Sequence, residues 1–204
     1  MNIFSLKYFG IFFLIISFFS FFNIIYSYYF NLLNNLSSYI FTFSITLIIG
    51  LFFILFKKYK YEKINLFERI LIVLTGYLIL PATISLPYYL NIDSLGLINC
   101  YFEAISGFTS TGFTIFNDLK QLDQTLILWR SSSQWIGGLL FLLATIGTIG
   151  SKQIKIKPAY LISGGASGNN FYNNFNYNFI KILFIYFTST IFVIFLYSLI
   201  DLRL

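Results

Sequence analysis

The sequence predicts an all-α integral membrane protein, with about five transmembrane helices and one shorter re-entrant helix followed by a loop. Of its 204 residues, 58% are hydrophobic, 22% are aromatic and only 10% are charged. An ordinary soluble domain carries roughly a quarter charged residues. A chain with so little polar surface is expected in a bilayer, where its many Phe and Tyr side chains can face lipid.

Five apolar stretches are long enough to cross a membrane, since a spanning helix needs about 20 mostly apolar residues. They are residues 8–29, 36–56, 68–89, 126–150 and 179–200. The first lacks a small-residue cleavage site, so it is interpreted as a span and not as a removable signal peptide. Pro81 and Pro87 predict that the third helix kinks and then stops.

The distribution of basic residues predicts the orientation. With the N-terminus inside, ten of the 13 Lys and Arg residues lie in inner segments and three in outer ones. Short cytoplasmic loops retain positive charge, so the N-terminus is predicted to be cytoplasmic and the chain to be a multi-pass protein of the cell (inner) membrane. The cluster of Lys57, Lys58, Lys60 and Lys63 is interpreted first as part of this signal and second as a lipid or partner contact.

Composition also argues against several function classes. The chain has one cysteine, Cys100, and no histidine, which removes an internal disulfide, the usual zinc sites and most nucleophile and base pairs. We therefore predict neither enzymatic activity nor a cofactor. The net charge of +6 lies in short clusters that flank apolar runs, so nucleic-acid binding is not expected.

The segment between the third and fourth spans is the most informative. Residues 95–108 are apolar but too short to cross, and they lead into a segment rich in Ser, Thr and Gly. The pattern predicts a half-helix that dips into the membrane and returns, with residues 109–114 as an extended strand within the bilayer. Gly107 and Gly112 permit backbone angles that turn carbonyls toward a shared axis, while the hydroxyls support or line it. The alternative is an external loop of turn-forming residues.

A resemblance favours the first interpretation. The string CYFEAISGFTSTGFTIF, followed by LILWRSSSQWIGGLLFLLATIG, resembles the pore helix, filter and next helix of the first repeat of the Trk/Ktr/HKT family of potassium transporters. The preceding NLFERILIVLTGYLILPATISLPYY is similar to that family's first pore-lining helix, and the two leading spans resemble the extra helix pair of its TrkH branch. The implied divisions are 1–60 for that pair, 61–157 for the repeat, 158–178 for a cytoplasmic loop and 179–204 for the first helix of an incomplete second repeat.

The resemblance implies a pore-forming subunit of a Trk-type K⁺ uptake system. Its implied filter residues are Thr109, Ser110, Thr111, Gly112, Phe113 and Thr114, with K⁺ held by the carbonyls of Ser110, Thr111, Gly112 and Phe113. The implied pore helix ends near Ser106. The implied pore supports are Glu103, Arg130 and Gln134. The implied partners are membrane lipid, further pore repeats from another chain or from self-assembly, and a cytoplasmic nucleotide-binding regulatory subunit. The alternative is a non-conducting fragment that is truncated or serves assembly alone.

Several interpretations of single residues remain to be compared with a structure. Glu103 and Arg130 are hypothesised to pair and brace the pore helix; alternatively, Arg130 snorkels to the outer interface. Trp129 is interpreted as an interfacial aromatic residue. Gly137 and Gly138 indicate close helix packing in preference to a hinge.

Overall fold

The computed structural model describes residues 3–55, 66–92, 94–117, 122–149 and 175–199. Within these ranges the chain is helical and contains no strand. The helices are α1 (Ile3–Tyr29), a short 3₁₀ turn (Leu33–Asn35), α2 (Leu36–Leu55), α3 (Leu66–Ile84), α4 (Leu86–Asn91), α5 (Leu97–Phe108), α6 (Gln124–Ile149) and α7 (Phe175–Leu199). The predicted all-α fold is confirmed.

The five predicted spans are found as helices long and apolar enough to cross a bilayer. They cover Phe9–Tyr29, Leu33–Leu55, Ile70–Asn91, Gln124–Thr145 and Lys181–Leu199. The chain divides into two compact units, Met1–Leu140 and Phe141–Leu204, and the second contains the last part of α6 and all of α7. The lysine cluster between α2 and α3 and residues 158–174 of the predicted loop lie outside the described residues, and the predicted division into segments stays a prediction.

Helices α1 and α2 form a closely packed hairpin that crosses at two glycines. A Cβ built on Gly50 would lie 2.8 Å from Leu14 Cδ2 and 3.1 Å from the carbonyl oxygen of Gly10. A Cβ on Gly10 would likewise lie 3.1 Å from the carbonyl oxygen of Gly50. Small residues at such a crossing let two backbones approach, which is how helices gain contact area when both are surrounded by lipid.

A seam of small polar side chains continues the hairpin interface. Its buried members are Ser17, Ser20, Asn23 and Ser27 on α1, and Ser38, Thr42 and Thr46 on α2. The hydroxyl of Ser20 donates to the carbonyl oxygen of Tyr39 at 2.8 Å, which joins the two helices directly. Thr42 and Thr46 donate to carbonyls of their own helix. Because lipid offers no hydrogen bonds, the hydroxyls of Ser20, Thr42 and Thr46 bond inside the protein, while aromatic side chains such as Phe18 face outward. Among the described residues, Ser27 Oγ and Asn23 Oδ1 are buried without a hydrogen-bond partner.

The second proline acts differently from the prediction, and the kink predicted at Pro81 stays a prediction. Pro81 lies inside α3, which ends at Ile84, before Pro87 is reached. Pro87 then occupies the first turn of α4 and does not stop the helix there. A proline is tolerated at this position because the amide protons of a helix's first turn have no partner within the helix.

The glycine crossing gives a first test. We expect Gly50→Ala to lower the free energy of unfolding by about 1 kcal/mol or more, because the added methyl overpacks the hairpin against Leu14 and Gly10. Gly76→Ala is the matched control, since its Cβ would meet nothing closer than 3.4 Å and a helical Gly-to-Ala change gains up to about 1 kcal/mol. Unfolding of the purified chain in mixed detergent micelles measures both. Equal effects would contradict the packing argument.

Candidate functional site

Helix α5 ends in a Schellman motif, from which the following loop begins. The N–H of Thr111 donates to the carbonyl oxygen of Ser106 at 3.1 Å, and the N–H of Ser110 donates to that of Gly107 at 3.0 Å. Ser110 has a φ of 55°, in the left-handed region that this motif requires after the helix end. The helix itself runs to Phe108, two residues beyond the predicted end at Ser106.

The loop carries four consecutive carbonyls, here named the carbonyl row and defined as the backbone oxygens of Thr109, Ser110, Thr111 and Gly112. The peptide bonds are trans, so the N–H groups of Ser110 and Thr111, which donate to α5, leave the carbonyls of Thr109 and Ser110 directed away from α5. No described residue donates a hydrogen bond to any oxygen of the row. The residues themselves are exposed.

Gly112 is required in this loop by its backbone conformation. Its φ is 80°, whereas a Cβ built on it would meet nothing within 4 Å. Space alone would therefore admit a side chain, but an L-residue in left-handed geometry costs about 1–2 kcal/mol. The residues predicted to form an extended strand thus contain two left-handed positions, Ser110 and Gly112, and form an irregular loop.

Three threonine hydroxyls of the loop donate hydrogen bonds to α5. Thr109 Oγ1 donates to the carbonyl oxygen of Ile105 at 2.7 Å, and Thr111 Oγ1 donates to that of Ser106 at 3.2 Å. Thr114 Oγ1 donates to the carboxylate of Glu103 at 3.1 Å. Of the two functions expected for the hydroxyls, supporting or lining an axis, these three have geometry that fits support.

Glu103 and Arg130 form an ion pair inside the protein. The Glu103 side chain is fully buried and that of Arg130 is 12% exposed. The carboxylate of Glu103 also accepts hydrogen bonds from Thr114 Oγ1 and from the N–H of Ile115, the latter at 3.1 Å. The pair hypothesised from the sequence is present, and the alternative in which Arg130 reaches the outer interface is not observed. Each buried charge has the partners that offset its desolvation.

Arg130 has a second contact, with the loop backbone. Its Nη2 donates to the carbonyl oxygen of Phe113 at 3.1 Å, and the Ser106 hydroxyl donates to the same oxygen. This carbonyl therefore accepts two hydrogen bonds from the protein, in contrast to the carbonyl row that precedes it. The Phe113 side chain points outward and is 70% exposed.

Two glycines allow α6 to approach the end of α5. A Cβ on Gly107 would lie 2.6 Å from Ser133 Oγ, and one on Gly137 would collide with the carbonyl of Phe108. The contact at Gly137 fits the packing interpretation made for the glycine pair. Gln134 on the same helix is half-buried and forms no side-chain hydrogen bond with the described residues, and its predicted support of the pore stays a prediction.

The interfacial interpretation of Trp129 is wrong. Its side chain is 1% exposed, its indole N–H donates to the carbonyl oxygen of Ile84 at 2.9 Å, and its ring centre lies 5.8 Å from that of Tyr39. Its indole N–H has a partner inside the protein, so the ring does not need water at the membrane surface. No local sequence pattern indicates this partner, because Ile84 contributes only its backbone carbonyl.

The start of α6 is held by polar residues that sequence reasoning missed. Asp123 caps the helix, since its Oδ1 accepts the N–H of Thr125 at 2.8 Å. Asn35, in the turn between α1 and α2, donates to Thr125 Oγ1 at 3.1 Å. An Asp just before an apolar run is a recognisable cap signal, whereas the link to Asn35 crosses 90 positions and has no local signature.

The site is built from backbone oxygens and one ion pair. Among the residues that the structure describes, no three His, Cys, Asp or Glu side chains lie together as metal ligands. The chemistry that the exposed carbonyls offer is the coordination of a cation that prefers neutral oxygen ligands.

Comparison with known proteins finds relatives among potassium and cation transporters. An uncharacterised cation transporter of Methanocaldococcus jannaschii is 30% identical over 136 residues, which cover 58% of this chain and 29% of the relative. The potassium uptake protein TrkI of Halomonas elongata is 44% identical over 55 residues, 27% of this chain and 11% of TrkI. Escherichia coli TrkH is 28% identical over 83 residues, 40% of this chain and 17% of TrkH.

The chain thus spans less than a third of the length of these relatives. No protein-family model matches it. No solved structure matches it either.

The ion pair gives the second test. We expect Glu103→Gln and Arg130→Gln each to lower the free energy of unfolding by about 3 kcal/mol, because each leaves an unpaired buried charge. The double variant should lose less than the sum, with a coupling of about 0.5–3 kcal/mol. Ser131→Ala, at an exposed neighbouring position, should stay within about 0.5 kcal/mol of the parent. Strictly additive losses in detergent unfolding would show that the two side chains do not pair.

Proposed function

We infer that this chain, which is TrkH-like and related to the Trk potassium uptake proteins, supplies one part of a path for K⁺ across the membrane. Its contribution is that of the pore-forming component of a Trk-type uptake system. The observation that carries this proposal is the carbonyl row: four consecutive exposed residues from Thr109 to Gly112, whose backbone oxygens have no donor among the described residues, at the C-terminal end of α5.

The electrostatics of the site favour a cation. The C-terminal end of α5 carries the negative end of its helix dipole, and the carbonyl row extends from that end. The positive charge of Arg130 is offset by Glu103, so a fixed cation does not oppose a transported one. Backbone carbonyls can replace the water shell that K⁺ gives up on entering a pore.

One loop cannot surround an ion, so the remaining oxygens must come from elsewhere. The loop residues from Thr109 to Phe113 are exposed, and Phe113 is 70% exposed. Further loops of the same kind, from another chain or from copies of this one, would complete the path. We also propose a cytoplasmic N-terminus, location in the inner membrane and control by a cytoplasmic nucleotide-binding subunit.

The third test asks whether the loop carries ions. The chain is expressed in a strain that needs K⁺ uptake, first alone and then with the open reading frame that follows it. We expect at least one arrangement to restore growth at low K⁺. In that arrangement, Gly112→Ala should reduce uptake about tenfold, because left-handed strain of about 1–2 kcal/mol distorts the carbonyl row.

Gly96→Ala is the control, because Gly96 has a φ of −71° and open space around the new methyl group. It should retain uptake at equal abundance in the membrane. If neither arrangement restores growth, the non-conducting alternative replaces the transport proposal. If the two glycine variants behave alike, the carbonyl row is not the ion path.

A further inference from the structure

We propose that Arg130 and Ser106 set the outer end of the ion path by withdrawing the Phe113 carbonyl from it, so that the row of K⁺ ligands ends at Gly112. This inference rests on the proposed function and refines its ligand set. The set implied by the resemblance, Ser110, Thr111, Gly112 and Phe113, loses its last member. Arg130 and Ser106 then become positioning residues for ion binding.

The contacts of the Phe113 oxygen support this directly. Arg130 Nη2 donates to it at 3.1 Å and the Ser106 hydroxyl donates to it as well. A carbonyl oxygen has two lone pairs, and these two donors use both. One of the donors is a guanidinium, whose hydrogen bonds are roughly twice as strong as neutral ones. A K⁺ ion would have to displace both donors before this oxygen could bind it.

The peptide bond between Phe113 and Thr114 also places an N–H donor where the next carbonyl ligand after the carbonyl row would otherwise lie. Because the bond is trans, the N–H of Thr114 points to the side opposite the Phe113 carbonyl. No described residue accepts a hydrogen bond from this N–H. The N–H of Thr114 is the positive end of this peptide dipole. It comes next after the Gly112 carbonyl along the path, and it repels a cation at that position.

The arrangement is fixed before any ion arrives. Glu103 holds Arg130 in the ion pair, and the same carboxylate accepts the Thr114 hydroxyl and the N–H of Ile115. The Phe113 carbonyl on one side of this peptide bond and the Thr114 hydroxyl and Ile115 N–H on the other are thus all hydrogen-bonded. Turning it toward the path would break the bonds to Arg130 and Ser106 together.

Isotope-labelled solid-state NMR tests the inference on the full chain in lipid, in whichever arrangement restores growth. Carbonyl-¹³C phenylalanine with ¹⁵N threonine reports only Phe–Thr peptide bonds, of which the sequence has four, ending in Thr42, Thr109, Thr114 and Thr188. Thr114→Ser removes one signal and so assigns it. We expect the Phe113 carbonyl signal to keep its position when K⁺ replaces Na⁺.

The carbonyl of Thr111 is the internal comparison. Carbonyl-¹³C threonine with ¹⁵N glycine reports two bonds, Thr75–Gly76 and Thr111–Gly112, and Gly76→Ala removes the first. We expect the Thr111 signal to shift with K⁺. A shift of both Thr111 and Phe113 would overturn the inference and leave the K⁺ path intact. A shift of neither would overturn the K⁺ path itself.

A matched pair of serine variants tests the positioning role. Ser106→Ala should move the Phe113 carbonyl signal toward that of a carbonyl with fewer hydrogen-bond donors, and the signal should then respond to K⁺. Ser106→Thr keeps the hydroxyl and should give the parent signal. Ser132→Ala removes another buried serine hydroxyl, which bonds only to its own helix at Leu128, and should leave the signal unchanged. An unchanged Phe113 signal in Ser106→Ala contradicts the proposal.

Discussion

The buried pair of Glu103 and Arg130 is the interaction on which the rest of the site depends. A carboxylate and a guanidinium in a membrane protein's interior each pay a large desolvation cost, and only their mutual contact and further hydrogen bonds offset it. Here the further bonds go to the loop: the carboxylate accepts from Thr114 and Ile115, and the guanidinium donates to Phe113. A change in the shape of the loop would therefore also break hydrogen bonds that stabilise these two buried charges.

That coupling requires α5 and α6 to lie very close together. Gly107 and Gly137 remove the side chains that would separate them, so the Phe108 carbonyl packs directly against the α6 backbone. Apolar contacts between helices gain little in lipid, because lipid tails are equally apolar. Close backbone contact and specific polar bonds are what remain to hold the two helices in register.

The fold was largely predictable from the sequence, and the inner geometry of the site only in part. Span length and the short apolar run before the Gly and Thr segment identify the helices, including α5, because they depend on local composition. The Schellman motif was not predictable, since its left-handed position is Ser110 where a glycine is usual. The direction of the Phe113 carbonyl was not predictable either, because Arg130, 17 positions away, sets it.

The same physics extends the supporting structure to the N-terminal hairpin. Three hydrogen bonds between elements fix α6: Asn35 to Thr125 at its first turn, Trp129 to the carbonyl of Ile84 at the end of α3, and Arg130 to Glu103 on α5. Trp129 and Arg130 are adjacent, so the bond that anchors the indole also limits where the guanidinium can reach. Asn35 is held in turn by a hairpin whose own interface is polar and glycine-packed. The two leading spans therefore help to position the carbonyl row, although they contribute no residue to it.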